Sequence, residues 1–393
     1  MKETTEKKDT EALLKKLPEA DGLDKVKILA DLTLAFRETN PEEAIEFGKQ
    51  GLELLQNTQD KKLELTILNE LCRGFHYLSK YQASLEYGFR ALELSNAVND
   101  NQYKATALNR IGVTYLNMAL FDQALEYFVQ ALRIHESSGN KLCIAGLYIN
   151  IGLICNKIGD SEKALDYYTR SMKILEEVDD RRSLAILYNN IGSIYSNEEE
   201  HSKALEYFDK ALELKEEIGE RFRIAHTLTN IGTVYLNLKD YDKSLEYFLQ
   251  SLNIQEEIGD RYASVDTLLN ISTVKGSYNR FSEALEYTQR GLSIAEELGV
   301  PYLKISCYES FSTIYEKMGD FKKALEYHKQ YKEVNDRIFT EESNKKYNEL
   351  RVSYETEKTE RENEIYRLRN TELAEANEEL KRAISEVRKL FIL

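Results

Sequence analysis

Four asparagines, Asn150, Asn190, Asn230 and Asn270, recur at intervals of forty residues. A primary amide offers two N–H donors and a carbonyl acceptor, so a row of amides can satisfy the backbone of an extended peptide whatever its side chains. A second row, Asn117, Lys157, Asn197 and Asn237, follows the first column (Arg110, Asn150, Asn190, Asn230) by seven residues, about two helical turns. Ser193, Thr233, Thr273 and Thr313 place hydroxyls between the rows. Arg73, Arg110 and Lys157 lie toward the N-terminal half, where they could receive a carboxylate. The expected peptide-binding set is therefore both asparagine rows with Arg73, Arg110 and Lys157. The same register also has a structural reading, either recent duplication of one repeat or asparagines that bond a neighbouring helix across a stack.

Other chemistries leave little trace. His76, His135, His201, His226 and His328 occupy different positions in the forty-residue register, and no two stand at metal-ligand spacing on one helix. No phosphate-binding glycine loop or Gly-x-Ser-x-Gly elbow is present. The expectation is a protein that is not an enzyme and needs neither metal nor cofactor. A net charge of −15 excludes nucleic acid as a partner, because phosphate neutralisation requires a basic face. No segment reaches the roughly 18 apolar residues of a membrane helix, and the N-terminus lacks a signal-peptide core, so no membrane contact is expected. Cys72, Cys143, Cys155 and Cys307 are isolated, as in a reduced cytoplasmic chain.

Positioning these side chains falls to a repeat. Gly112, Gly152, Gly192 and Gly232 are each forty apart, and Cys72, Ser272 and Ser312 continue the column with small residues. Twelve residues later stands ALEYF or a variant, as at 124–128 and 204–208, whose tyrosine recurs at Tyr87, Tyr127, Tyr167, Tyr207, Tyr247, Tyr287 and Tyr327. Apolar residues such as Leu108, Ile111 and Tyr115, then Leu125, Phe128 and Leu132, follow i, i+3, i+4 and i+7 steps. Breaks at 159–160, 239–240 and 319–320 and at Gly139, Gly219 and Gly259 divide them. Each repeat thus reads as helix, tight turn, helix, and neighbours must stack to bury both apolar faces. The small column is expected to let the two backbones close, and the ALEYF aromatic to fill the gap toward the next repeat. Arg181, Arg221 and Arg261 are expected to pair with Asp180, Glu220 and Asp260 in structural roles.

The pattern Leu-x-x-Ile-Gly-x-x-Tyr followed by Ala-x-x-x-Phe resembles the tetratricopeptide repeat. It lacks the family's helix-A Trp and closing Pro and is six residues longer, a form similar to the repeats of kinesin light chain. The resemblance implies an all-α, right-handed superhelical solenoid of about eight helix-turn-helix repeats, from Leu23 to Thr340, with a long C-terminal helix or coiled coil beyond. The expected domains are a leader at 1–22, partly helical or disordered, the array at 23–340, and a charged helical tail at 341–393. Unit seven reads as interrupted by Lys275 and Thr288. In this family asparagine in the first column contacts ligand backbone, which the resemblance carries onto Asn150, Asn190, Asn230 and Asn270. The lysine clamp of chaperone adaptors is not present. The implied function is a scaffold holding a protein or peptide in a concave groove.

Past Thr340 the sequence has no Gly or Pro and alternates charge. Tyr366, Leu373, Leu380 and Val387 are spaced by seven, with Asn370, Asn377, Ile384 and Phe391 at companion positions. That register fits either a capping helix or a parallel homodimer. The arrangement also resembles bacterial signalling proteins in which such an array leads through a helical linker to a kinase, cyclase or phosphatase. The alternative expectation is therefore a regulatory sensor that passes binding to an output partner.

Overall fold

The computed structural model describes residues 10–37, 40–55, 60–338 and 340. They divide into two compact units, Met1–Tyr247 and Phe248–Leu393, each treated by itself below. The expectations for the heptad tail and for most of the leader lie outside the described residues.

In the N-terminal unit the helices are α1 (Gly22–Phe36), α2 (Pro41–Leu55), α3 (Lys61–Tyr77), α4 (Tyr81–Ala97), α5 (Asn101–Asn117), α6 (Phe121–Ser138), α7 (Lys141–Lys157), α8 (Ser161–Glu177), α9 (Arg181–Asn197), α10 (His201–Ile218) and α11 (Arg221–Asn237). Helix α12 (Tyr241–Ile258) carries the boundary. The C-terminal unit continues with α13 (Arg261–Ser277), α14 (Phe281–Leu298), α15 (Pro301–Lys317) and a helical stretch at 321–338. No strand occurs among the described residues. The chain is an all-α helical repeat.

Turn chemistry makes the helices short and regular. The acidic residue before a helix is its N-cap: Asp60, Asp160, Asp180 and Asp260 each accept a hydrogen bond from the amide three residues on, at 3.0 to 3.1 Å. At the other end a left-handed residue recurs every twenty positions, for example Asn99, Ala119, Gly139, Gly159 and Asp179. At Ala119 the amide of Leu120 reaches back to the Tyr115 carbonyl at 3.0 Å, closing a Schellman motif. Ala119 holds φ at 56°, a conformation costly for a residue with a Cβ. Ala119→Gly is accordingly expected to raise stability by about 0.5–1 kcal/mol, read as an upward shift of the urea midpoint.

The small column lets the two backbones close, as expected, with Ser244 Oγ donating to the Gly232 carbonyl and Ser272 Oγ to the Ala284 carbonyl, each at 2.8 Å, and it also makes room for a ring. A Cβ on Gly112 would lie 2.6 Å from the Phe128 ring, one on Gly152 2.5 Å from Tyr168, and one on Gly192 2.8 Å from Phe208. The ALEYF aromatic thus fills the space left by the glycine of its own repeat. Ring and missing side chain are complementary in volume. At two places where the column is not glycine the partner shrinks: Cys72 faces Gly88, and Ser272 faces Thr288, with the two hydroxyl oxygens 2.8 Å apart. Thr288 is fully buried and Lys275 pairs with Glu283 at 2.6 Å, so that repeat is compensated, not interrupted.

Ion pairs also differ from expectation. Arg181 reaches Glu217 and Arg261 reaches Glu297, each at 2.6 Å and 36 residues along, and Lys141 repeats the pattern with Glu177. These clasps join the start of one helix to the end of the next in the same repeat. Asp180 and Asp260 are occupied as caps, while Glu220 takes Arg182 and Arg223.

Candidate functional site

Within the N-terminal unit, successive odd-numbered helices from α1 to α11 touch one another, whereas among the described residues successive even-numbered helices from α2 to α10 do not. The odd helices therefore crowd the inner side of the stack and the even ones fan outward. Asn150, Asn190 and Asn230 stand on α7, α9 and α11, half-buried on these inner helices. Asn117, Lys157, Asn197 and Asn237 are the last residues of α5, α7, α9 and α11 and are exposed. In the C-terminal unit Asn270 stands on α13, where with Thr273, Ser310 and Thr313 it lines a cleft of ≈ 260 Å³ against α15.

The first-column amides are held, not loose. Asn150 Nδ2 donates to Asn109 Oδ1 at 3.3 Å on the preceding inner helix, and Asn230 Nδ2 donates to Asn189 Oδ1 at 3.3 Å. One N–H and the carbonyl of each amide remain outside these two bonds. Asn190 lies beside the hydroxyl of Tyr168, which is buried without a well-formed hydrogen bond and whose pKa burial drives upward. Between the rows, Ser193 and Thr233 hydroxyls donate to their own helices at Asn189 and Thr229 carbonyls, leaving acceptor lone pairs.

Behind Asn189 runs a buried polar chain that sequence reasoning missed. Lys215, on α10 and 3% exposed, donates from Nζ to Thr227 Oγ1 at 2.5 Å. Thr227 in turn lies 3.2 Å from Asn189 Oδ1. Burial, then the neighbouring Arg223, pulls the Lys215 pKa down to about 8, against an opposing pull from Glu220. The signal was present in the register: the buried column Leu55, Ser95, His135, Leu175, Lys215, Gln255 and Ala295 is polar at four places.

Three of the expected binding residues converge at the other end. Arg73, His76 and Tyr77 of α3 and Arg110 of α5 line a cleft of ≈ 200 Å³. Asn117 joins them, its Nδ2 lying 3.4 Å from His76 Nε2. Arg73 donates to the Tyr77 hydroxyl at 3.1 Å and lies over that ring. Glu70 is shared between Arg37 at 3.7 Å and Arg110 at 3.8 Å. Burial, and then the charge of Arg73, lowers the Arg110 pKa, and burial with both arginines lowers that of His76. Glu70, His76 and Arg37 belong to no single column, which hid their convergence from the sequence.

Among the described residues no group of three or more His, Cys, Asp or Glu side chains is disposed to hold a metal, and no helix is long and apolar enough to cross a membrane. The sequence matches the tetratricopeptide repeat family over residues 63–137, 143–217 and 223–297. No protein of curated function matches it in sequence. Among solved structures, the apo quorum sensor NprR from B. thuringiensis is similar with a TM-score of 0.62 at 14% identity, aligning over 85% of this chain and 99% of that one. A Rap protein complexed with Competence and Sporulation Factor gives 0.56 at 14% identity, over 81% and 99%. NprR in complex with its cognate peptide NprX gives 0.52 at 17% identity, over 78% and 89%.

Proposed function

Because the chain belongs to the tetratricopeptide repeat family, we propose that it is a non-catalytic scaffold that binds an extended peptide segment along its inner helices. The observation that carries this reading is the set of half-buried amides on α7, α9 and α11, two of them oriented by a neighbouring asparagine. An amide fixed by one N–H still presents a donor and an acceptor, and it loses little side-chain entropy when a peptide backbone docks. The two readings of the asparagine register thereby combine, since the bond across the stack is what aims the amide. That solved relatives of the same fold hold Competence and Sporulation Factor and the peptide NprX supports the same kind of ligand.

In this reading residues 23–340 are the binding array, in a cytoplasmic protein, and 341–393 are a tail that dimerises or carries the signal to an output partner. Asn117, Lys157, Asn197 and Asn237 flank the groove, Arg73 and Arg110 supply its positive end, and Asn270 serves the C-terminal unit. The experiment is peptide capture from the native cell on immobilised wild type and on the fourfold variant Asn150→Ala, Asn190→Ala, Asn230→Ala and Asn270→Ala. Each amide removed costs about 1 kcal/mol of net hydrogen bonding, so the four together are expected to weaken a captured peptide by about a hundredfold or more. Equal recovery on both surfaces would sink the reading.

A further inference from the structure

We propose that the cleft between the outer helices α2 and α4 is a second binding site, for a phosphate monoester whose dianionic head is held by Lys49 and Arg90 and whose organic body lies against Leu52, Leu55 and Tyr87. The cleft measures ≈ 290 Å³, more than either inner-helix cleft described above, and is lined as well by Lys61 and Glu64 in the first turn of α3. It is separate from the asparagine rows and independent of the peptide-binding reading. Its place follows from the register. In the next gap, between α4 and α6, Phe89 holds the position of Lys49 and sets its ring edge-on to Tyr127, the counterpart of Tyr87, with centroids 6.1 Å apart. Lys49 brings no ring to this place, so the gap between α2 and α4 stays open and gains a charge.

Both cations lack an acid partner although acids stand one helical turn away. At the register position of Arg90, Gln50 bonds Glu46, Gln130 bonds Glu126, Arg170 bonds Asp166 and Lys210 bonds Glu206, always four residues back. Arg90 has Glu86 at the same offset, yet it makes no hydrogen bond or ion pair among the described residues and lies over the Tyr87 ring, 5.3 Å from its centroid. Lys49 likewise leaves Glu53, four residues on, and sits 5.5 Å from the Phe75 centroid. Phe75 and Tyr87 are themselves stacked at 5.2 Å, so one pair of rings carries both cations. A cation placed on a ring keeps its N–H groups available. Lys61, by contrast, is already paired with Glu64 at 2.9 Å. In a chain of net charge −15, two unpaired cations at one cleft are complementary to an anion. A guanidinium fork and an ammonium together match the oxygens of a single phosphate. Leu55 is buried and Leu52 and Tyr87 are half-buried, so they present carbon to whatever the phosphate carries. Glu53 is the one lining acid that opposes the ligand.

The test is titration calorimetry on the full chain with phenyl phosphate, inorganic phosphate and benzoate. Phenyl phosphate is expected to bind saturably and about tenfold tighter than inorganic phosphate, because its ring buries apolar surface. It should also bind at least about tenfold tighter than benzoate, which carries the same ring on a single charge. Arg90→Gln and Lys49→Thr are suited to the fold, since the array itself places Gln at 50 and 130 and Thr at 169 in those columns. Each should weaken phenyl phosphate at least about tenfold with circular dichroism unchanged, whereas Arg170→Gln, in the column of Arg90 but paired, should leave it unaltered. Glu53→Gln should strengthen binding by about two- to fivefold, the effect of one exposed like charge removed. If the first two variants fold poorly, that gain decides the same point. Absence of saturable binding, or equal binding by wild type and Arg90→Gln, overturns the site. Benzoate binding as tightly as phenyl phosphate overturns the assignment to a phosphate, and inorganic phosphate binding as tightly overturns the apolar body.

Discussion

Gly152→Ala is expected to destabilise the N-terminal unit by about 1–2 kcal/mol, while Gly146→Ala, on the same helix, stabilises it by up to about 1 kcal/mol. Both substitutions add one methyl to α7 and both gain the helix propensity of alanine over glycine. They differ in what the methyl meets. At Gly146 nothing lies within 4 Å, whereas at Gly152 the new carbon would fall 2.5 Å from Tyr168 Cε1 and 3.2 Å from the Ala164 carbonyl oxygen. Tyr168 is completely buried, so its ring cannot swing into solvent to make room. Overpacking of this kind outweighs the propensity gain, and Gly152→Val, with two further carbons, should cost about 3 kcal/mol or more. Urea unfolding supplies the magnitudes. Amide exchange on α7 and α8 locates the loss, since repeat arrays need not unfold in one step. If the ring is the obstacle, Tyr168→Leu should recover at least about 1 kcal/mol of the Gly152→Ala deficit, an interaction term visible in the double-mutant cycle. Destabilisation of equal size at Gly146 would refute the packing account.

That packing shows which parts of the molecule its sequence can reveal. The forty-residue register, the helix pairs and the small column are all periodic, and periodicity is readable directly. The destination of each ring is not. Phe128 stands sixteen residues after Gly112 and twenty-four before Gly152, and every copy keeps both offsets, so no count distinguishes the partner inside the repeat from the one beyond it. The same ambiguity misplaced the arginine pairs: Asp180 is adjacent to Arg181 in sequence, yet its carboxylate is used by the amide of Ser183, and Arg181 finds Glu217 instead. A local rule, helix capping, consumed the nearer acid. For the site, the asparagine columns were legible because they repeat. Their orienting partners were not, because the preceding column reads Asn109, Ile149, Asn189, Thr229 and Leu269 and only some of these can bond. The arginine cleft was hidden for a third reason. Arg37, Arg73 and Arg110 hold three different positions in the register and meet only when neighbouring inner helices lie side by side.

The second large effect is expected at Lys215, where methionine should raise stability at pH 7 by about 2 kcal/mol, a gain that vanishes as the pH approaches the ordinary lysine value near 10.4. Lys215 is buried, and its pKa is drawn down to about 8, so at pH 7 the folded chain carries an ammonium that the fold disfavours. The unfolded chain keeps its lysine protonated up to about pH 10.4. Between about 8 and 10.4 it therefore binds more protons than the native state, and stability contributed by this group rises with pH across that window. Below about 8 the penalty is constant. Methionine fills a similar volume without charge and should flatten the rise. The measurement is the difference in urea midpoint between wild type and Lys215→Met at pH 7 and pH 9.5. A difference is needed because buried thiols act in the same range with opposite sign. Burial raises Cys72, Cys155 and Cys307, so the unfolded state loses those protons first and stability falls as pH rises. His226, lowered by burial and by Lys215 and Arg223, titrates below this window. A pH-independent difference would show that the Thr227 hydroxyl, 2.5 Å from Nζ, already stabilises the ammonium as well as water does. The outcome bears on the binding face, because Thr227 meets the Asn189 oxygen that also holds Asn230. A fold that keeps a charge-disfavouring lysine behind its inner-helix amides gives up stability at that position, and removing the lysine should test what the polar chain contributes to the proposed binding. Lys215→Met leaves the Asn230–Asn189 bond in place. If that bond alone aims the amide, peptide capture should be unchanged while stability rises; if the whole chain from Lys215 outward sets the aim, capture should fall even as the protein becomes harder to unfold.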